Sequence, residues 1–149
     1  KLGQSMRACE RALRLISHDN RVDVPVLRYE RVIRMPRVLT IQDDDFEEAL
    51  LEKPGRYLLE AWAPGCGPCQ AQKKITSRLA REISPNWLFV RVDAQNNPHI
   101  AAYFDIRAVP SLLIIVDGEL QEALLGPHSY DELCEALKRH SSKQRRLAS

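Results

Sequence analysis

No apolar run in this chain is longer than five residues. Leu112 to Val116, at that length, is far short of the roughly 18 needed to span a bilayer, so no transmembrane segment is expected and the run reads as a buried strand. Cysteine is scarce as well: there are four, Cys9, Cys66, Cys69 and Cys134. Two form one C-x-x-C pair and two are isolated, which excludes the dense, regular framework of a secreted disulfide scaffold. No second C-x-x-C pair is present to close a zinc site. Residues 1–37 hold no stretch expected to be a hydrophobic signal segment, and no internal repeat is found. The arginines near the two ends have no interleaved aromatics for base stacking, so no specific nucleic-acid partner is expected; at most such ends make non-specific phosphate contacts.

What is present is an apolar share of 44% in 149 residues, enough for one domain with a core. Charge is segregated. Residues 1–38 hold nine Lys or Arg against four acids, a net of +5, and residues 138–149 hold five bases and no acid. The chain's net charge of +2 therefore leaves the middle acidic. Met6, Cys9, Leu13 and Ile16 share one helical face within residues 5–17. Three readings fit that stretch: a surface helix docking on the core, a basic membrane-surface helix, or the remnant of a targeting segment. Val22, Val24 and Val26 alternate as in a short edge strand. Arginine recurs at every third position from Arg28 to Arg37, and Pro36 is a plausible boundary. The expected organisation is a basic N-terminal extension (1–37), a main domain (38–140) and a flexible basic tail (141–149).

From Val38 the pattern becomes regular. Strands are predicted at Val38–Ile41, Tyr57–Ala63, Trp87–Asp93, Ser111–Val116 and Glu119–Leu125. Helices are predicted from Asp44 to about Leu51, from Cys66 to Ile83, from Asn97 or Pro98 to Phe104, and from Ser129 to about His140. Asp44-Asp45-Phe46-Glu47 and Ser129-Tyr130-Asp131-Glu132 both read as capping boxes. Ser84-Pro85-Asn86 breaks a helix, and Asp117-Gly118 is a hairpin turn. Alternating strands and helices imply parallel crossovers, with one antiparallel pair added at the end. The fold class is α/β, a mixed central sheet with helices on both faces.

The chemistry concentrates at Cys66-Gly67-Pro68-Cys69. Two cysteines three residues apart fit one helical turn when the first sits at the helix N-terminus, facing unpaired N–H groups and the positive dipole end. Both favour thiolate over thiol, so the Cys66 pKa should be lowered, and the thiolate is the species that attacks a disulfide. Pro68 falls early in the helix, where its missing N–H costs little. Gly67 leaves room for a substrate backbone. Cys69, one turn in, is placed to resolve a mixed disulfide. The same spacing can be half of a zinc knuckle, but this pair follows a hydrophobic strand and opens a helix, which is the redox context.

Trp62-Ala63-Pro64-Gly65-Cys66-Gly67-Pro68-Cys69, Ile106-Arg107-Ala108-Val109-Pro110-Ser111, Asp117-Gly118-Glu119 and Gly126 occur in an order that resembles the thioredoxin family from about Val38 to His140. The resemblance implies the thioredoxin fold and a protein-disulfide reductase needing no cofactor beyond the Cys66–Cys69 disulfide. It implies a cis peptide before Pro110, which lies against that disulfide, and backbone hydrogen bonds from Val109 to an extended substrate. Trp62 would pack beside the active site or serve as an ordinary core aromatic. Glu60 takes the place of the family's buried aspartate. Burial would disfavour its charge and poise it to take a proton from Cys69, unless it is a strand-end carboxylate reaching solvent. Arg91, where a lysine is common, could pair with Glu60 but not release a proton.

Three departures bear on partners. Gly65 replaces a tryptophan and removes contact surface at the substrate groove. Gln70 replaces a cation. Lys74 replaces a helix-kinking proline, so a straighter helix is expected. The implied partners are disulfide-containing proteins and a thioredoxin reductase or equivalent dithiol donor, acting on a monomer in the cytoplasm. An exported or organellar protein with its targeting segment removed would look the same. The alternative function is a client-binding or chaperone module whose specificity lies in the extension. Cys9 and Cys134 read most simply as small buried residues, with a regulatory disulfide as the other possibility.

Overall fold

The computed structural model describes residues 38–83 and 87–141. The expected N-terminal helix with Cys9, the strand at 22–26, Pro36, the break at 84–86 and the tail from 142 onward lie outside those residues. Five strands form one sheet: β1 (Val38–Thr40), β2 (Arg56–Trp62), β3 (Leu88–Asp93), β4 (Ser111–Val116) and β5 (Glu119–Leu125). Their spatial order is β1-β3-β2-β4-β5. Three α-helices accompany them: α1 (Gly67–Ile83), α2 (Pro98–Tyr103) and α3 (Tyr130–Ser141).

β2 is central because it is apolar on both faces. Leu58 and Glu60 point to one side and Tyr57, Leu59 and Ala61 to the other, all buried. The first side packs with Phe89, Leu112 and Ile114 beneath Leu79, Ala80 and Ile83 of α1 and Leu133 and Leu137 of α3. The second packs with Val90, Val92, Leu113 and Ile115 against Phe46, Leu50, Ile100 and Phe104. Helices therefore cover both faces, as the strand–helix alternation implied.

The pairing differs from expectation in one respect. β1, β3 and β2 are parallel, but β4 runs antiparallel to β2 as well as to β5. α2 has six residues, about 9 Å of helix, too short to carry the chain back along a strand. The chain leaves β3 beside Trp62 and re-enters at Ser111 beside Ala61. Residues 109–111 are thereby set at the end of the sheet where β2 hands over to the cysteine motif.

Of the two expected capping boxes, one forms. Glu132 N–H donates to Ser129 Oγ at 3.2 Å and Ser129 N–H to Glu132 Oε2 at 2.7 Å. At 44–47 no side-chain cap is made, and the helix there is a short π-helix, Glu47–Leu51, closed by Glu52 N–H to Glu47 O. Phe46 and Leu50, four residues apart, lie on one face and are both fully buried. Asp117 and Gly118 both have positive φ, 51° and 82°, the geometry of a two-residue hairpin turn. A Cβ on Gly118 would meet Leu51 O at 2.6 Å, so only glycine fits there.

β5 is tied to α3 through Glu122, whose carboxylate accepts from Arg139 Nη2 and pairs with His140 Nε2, both at 2.7 Å. The Arg139 hydrogen bond, with a smaller contribution from His140, holds the Glu122 carboxyl below the usual carboxylate range. A depressed folded pKa adds stability at neutral pH that is lost as pH falls below the unfolded glutamate value of about 4.3 and on through the folded one. Urea midpoints measured from pH 7 to pH 3 should fall more steeply for wild type than for Glu122→Gln. Partial exposure limits the difference to under about 1 kcal/mol.

Candidate active site

β2 ends at Trp62, and the chain turns through Ala63, Pro64 and Gly65 before α1 begins at Gly67. Cys66 N–H donates to Ala63 O at 3.3 Å, and Gly65 has φ +75°, a backbone region in which glycine is unstrained. Cys66 sits just outside the helix and Pro68 in its first turn, where no N–H partner is lost. The Cys66 and Cys69 sulfurs are joined, with a Cα–Cα distance of 5.3 Å. Cys66 is half-buried, whereas Cys69 is 1% exposed. Cys69 N–H points at Cys66 Sγ, 3.2 Å away. It is one of the donors that a helix start leaves without an intrahelical partner.

The 109–111 segment faces this pair. The Val109–Pro110 peptide is cis. Val109 O lies 3.9 Å from Cys66 Sγ, a proximity and not a hydrogen bond, since a half-cystine carries no proton. Pro110 O accepts from Gly126 N–H at 2.9 Å, and Ser111 Oγ donates to Ala108 O at 2.6 Å. Gly65, Gly67 and Pro68 are exposed at the rim, with Val109 half-buried. Sequence reasoning missed Leu125, which is 69% exposed and pairs with Ser111, next to Pro110. Its position as the last residue of an edge strand was the available signal.

Glu60 and Arg91 are direct partners across β2 and β3. Glu60 is fully buried, which overturns the reading of a strand-end carboxylate in solvent. Arg91 Nε donates to Glu60 Oε1 at 3.0 Å and Nη2 reaches Oε2 at 3.5 Å. Nη2 also faces Lys73 O at 3.3 Å and Ser77 Oγ at 3.4 Å on α1. The buried charge is therefore paired and hydrogen-bonded, the condition for keeping it inside a core. Trp62 shares the Glu60 face of β2, two residues on. Lys73 Nζ stands 3.2 Å from the centre of the Trp62 ring; the sequence reading assigned Lys73 and Ser77 no part in the site. α1 runs unbroken through Lys74. Cys134 is 3% exposed in the core, the buried position expected of it, and is disulfide-bonded. Among the described residues no group of three His, Cys, Asp or Glu is arranged to hold a metal ion, and no helix is long and apolar enough to cross a membrane.

A disulfide across the first turn of a helix, on a mixed sheet and opposite a cis-proline segment, defines a thiol–disulfide oxidoreductase. A model of the family described as Thioredoxin matches residues 37–139, and the chain belongs to the thioredoxin family. It is 30% identical over 100 residues to thioredoxin 1 of Synechococcus elongatus, covering 67% of this chain and 94% of the relative. It is 31% identical over 106 residues to thioredoxin of Haemophilus influenzae, covering 71% and 99%. It is 28% identical over 102 residues to the chloroplastic thioredoxin M4 of Arabidopsis thaliana, covering 68% and 53%. The activity is that of a protein-disulfide oxidoreductase, carried by a redox-active disulfide.

Proposed function

We propose that the chain reduces protein disulfides with Cys66 as the attacking thiolate and Cys69 as the resolving thiol. The observation that carries this is the contrast within the pair: Cys66 is accessible and receives a helix-start N–H, while Cys69 is buried. In the reduced protein the Cys66 thiolate attacks one sulfur of a client disulfide. A mixed disulfide forms as the client S–S bond breaks, and the freed client thiolate takes up a proton. Cys69 then loses its proton and attacks Cys66 Sγ, releasing the second client thiol. Two electrons pass from the dithiol to the client, and a thioredoxin reductase or equivalent dithiol donor returns them. Glu60, held in place by Arg91, accepts the Cys69 proton. Val109 offers its backbone to an extended client segment, with Gly65, Gly67, Pro68 and Leu125 exposed around it and Pro110 buried beside it. No metal or organic cofactor enters the cycle. The protein works as a monomer in a reducing cytoplasm, where such a donor is available.

Insulin reduction with dithiothreitol as donor tests this reading. Wild type should speed precipitation of the insulin B chain severalfold over dithiothreitol alone. No rate above background, with clients still captured by Cys66→Ser, would favour a client-binding module instead.

A further inference from the structure

Lys73 lies on α1 four residues after Cys69, a spacing that stacks two side chains on one helix face with about 5–6 Å between their Cβ atoms. Two further contacts tie it to the site. Its ammonium sits on the Trp62 ring, 3.2 Å from the centroid. Its carbonyl accepts from Arg91 Nη2, the guanidinium that holds Glu60. Trp62 Nε1 is buried without a hydrogen-bond acceptor, so no hydrogen bond from the indole fixes the ring. An ammonium over the face of an indole is attracted by the ring quadrupole, and tryptophan is the strongest partner for it. The charges around Lys73 are mixed: burial and Arg91 oppose its protonated form, while Glu60 and Asp93 favour it.

We propose that Lys73 is a positioning residue of the redox site, clamping Trp62 at the base of the active-site turn and raising the reduction potential of the Cys66–Cys69 couple. The potential follows from charge. The oxidised pair is neutral, whereas the reduced pair carries a thiolate on Cys66. A cation one helical turn from Cys69, held over the Trp62 ring at the base of the active-site turn, favours the form of the pair that carries negative charge and so stabilises the reduced couple. A couple with a stabilised reduced form is more oxidising. The inference rests on Cys66–Cys69 being the working couple.

The test compares the full chain as wild type, Lys73→Met, Lys73→Arg and Lys74→Met. The dithiol–disulfide ratio is measured in glutathione buffers by alkylation and mass spectrometry, with near-ultraviolet circular dichroism and insulin reduction alongside. Lys73→Met should shift the ratio about threefold toward disulfide, about 14 mV more negative. It should also weaken the tryptophan dichroism and slow insulin reduction about threefold. Lys73→Arg keeps the cation and should restore all three, and Lys74→Met should change none. Wild-type potential and dichroism in Lys73→Met, or no rescue by Lys73→Arg, would overturn the proposal. An inactive wild type would overturn the redox reading beneath it, a result distinct from an active wild type with an unchanged Lys73→Met.

Discussion

Replacing Arg91 by methionine is expected to lower stability by about 3–5 kcal/mol, because it leaves a buried carboxylate without its partner. Glu60 is fully buried, and among the described residues Arg91 is its ion-pair partner, through two nitrogens. The same guanidinium faces Lys73 O and Ser77 Oγ, so the change also unties α1 from β3. The thermal midpoint should fall on the order of 20 °C, read by circular dichroism. Removing both charges together, as Glu60→Leu with Arg91→Met, should recover most of the loss, since well-packed apolar pairs often match or exceed a buried ion pair. The double variant then separates fold from function: it should melt near wild type but resolve mixed disulfides slowly, because no carboxylate remains to accept the Cys69 proton. A double variant as unstable as Arg91→Met alone would show that the packing of the arginine stem, and not the unpaired charge, dominates.

The two cysteine variants should differ in kind. Cys66→Ser should bring insulin reduction down to the background of the small-molecule donor, since a serine hydroxyl is not ionised at neutral pH and cannot form a mixed disulfide. Cys69→Ser keeps the attacking thiolate and removes the group that resolves the adduct. It should accumulate a covalent complex with its client, stable on non-reducing gels and released by dithiothreitol. The asymmetry follows from exposure, as a client sulfur can reach the half-buried Cys66 and not the 1% exposed Cys69. Stable adducts on Cys66→Ser, with none on Cys69→Ser, would reverse the two roles.

Much of this site was legible because it is written locally. C-G-P-C after a buried strand places the cysteines at a helix start, and both hairpin strands, Ser111–Val116 and Glu119–Leu125, fall where alternation and Asp117-Gly118 put them. The missed features depend on long-range geometry. The antiparallel entry of β4 depends on where β3 and α2 leave the chain, which no local pattern encodes. The helix after Asp44 forms as a π-helix at Glu47–Leu51 with no side-chain cap, a distinction the capping signal does not encode. Lys73 reads as one more exposed helix lysine until the fold brings it over Trp62, eleven residues earlier in sequence. Glu60 and Arg91 were suggested by resemblance, but only their register across β2 and β3 makes them neighbours.

On the proposed reading, the start of α1 makes Cys66 the reactive thiolate. The most direct test of that reading is alkylation of the fully reduced protein with iodoacetamide from pH 4 to pH 10, with each cysteine followed by peptide mass spectrometry. Cys66 should be modified first, with a midpoint below the ordinary thiol value of about 8.5, while Cys69 is spared until much higher pH. Modification of Cys69 ahead of Cys66, or a Cys66 midpoint at or above the ordinary value, would contradict it.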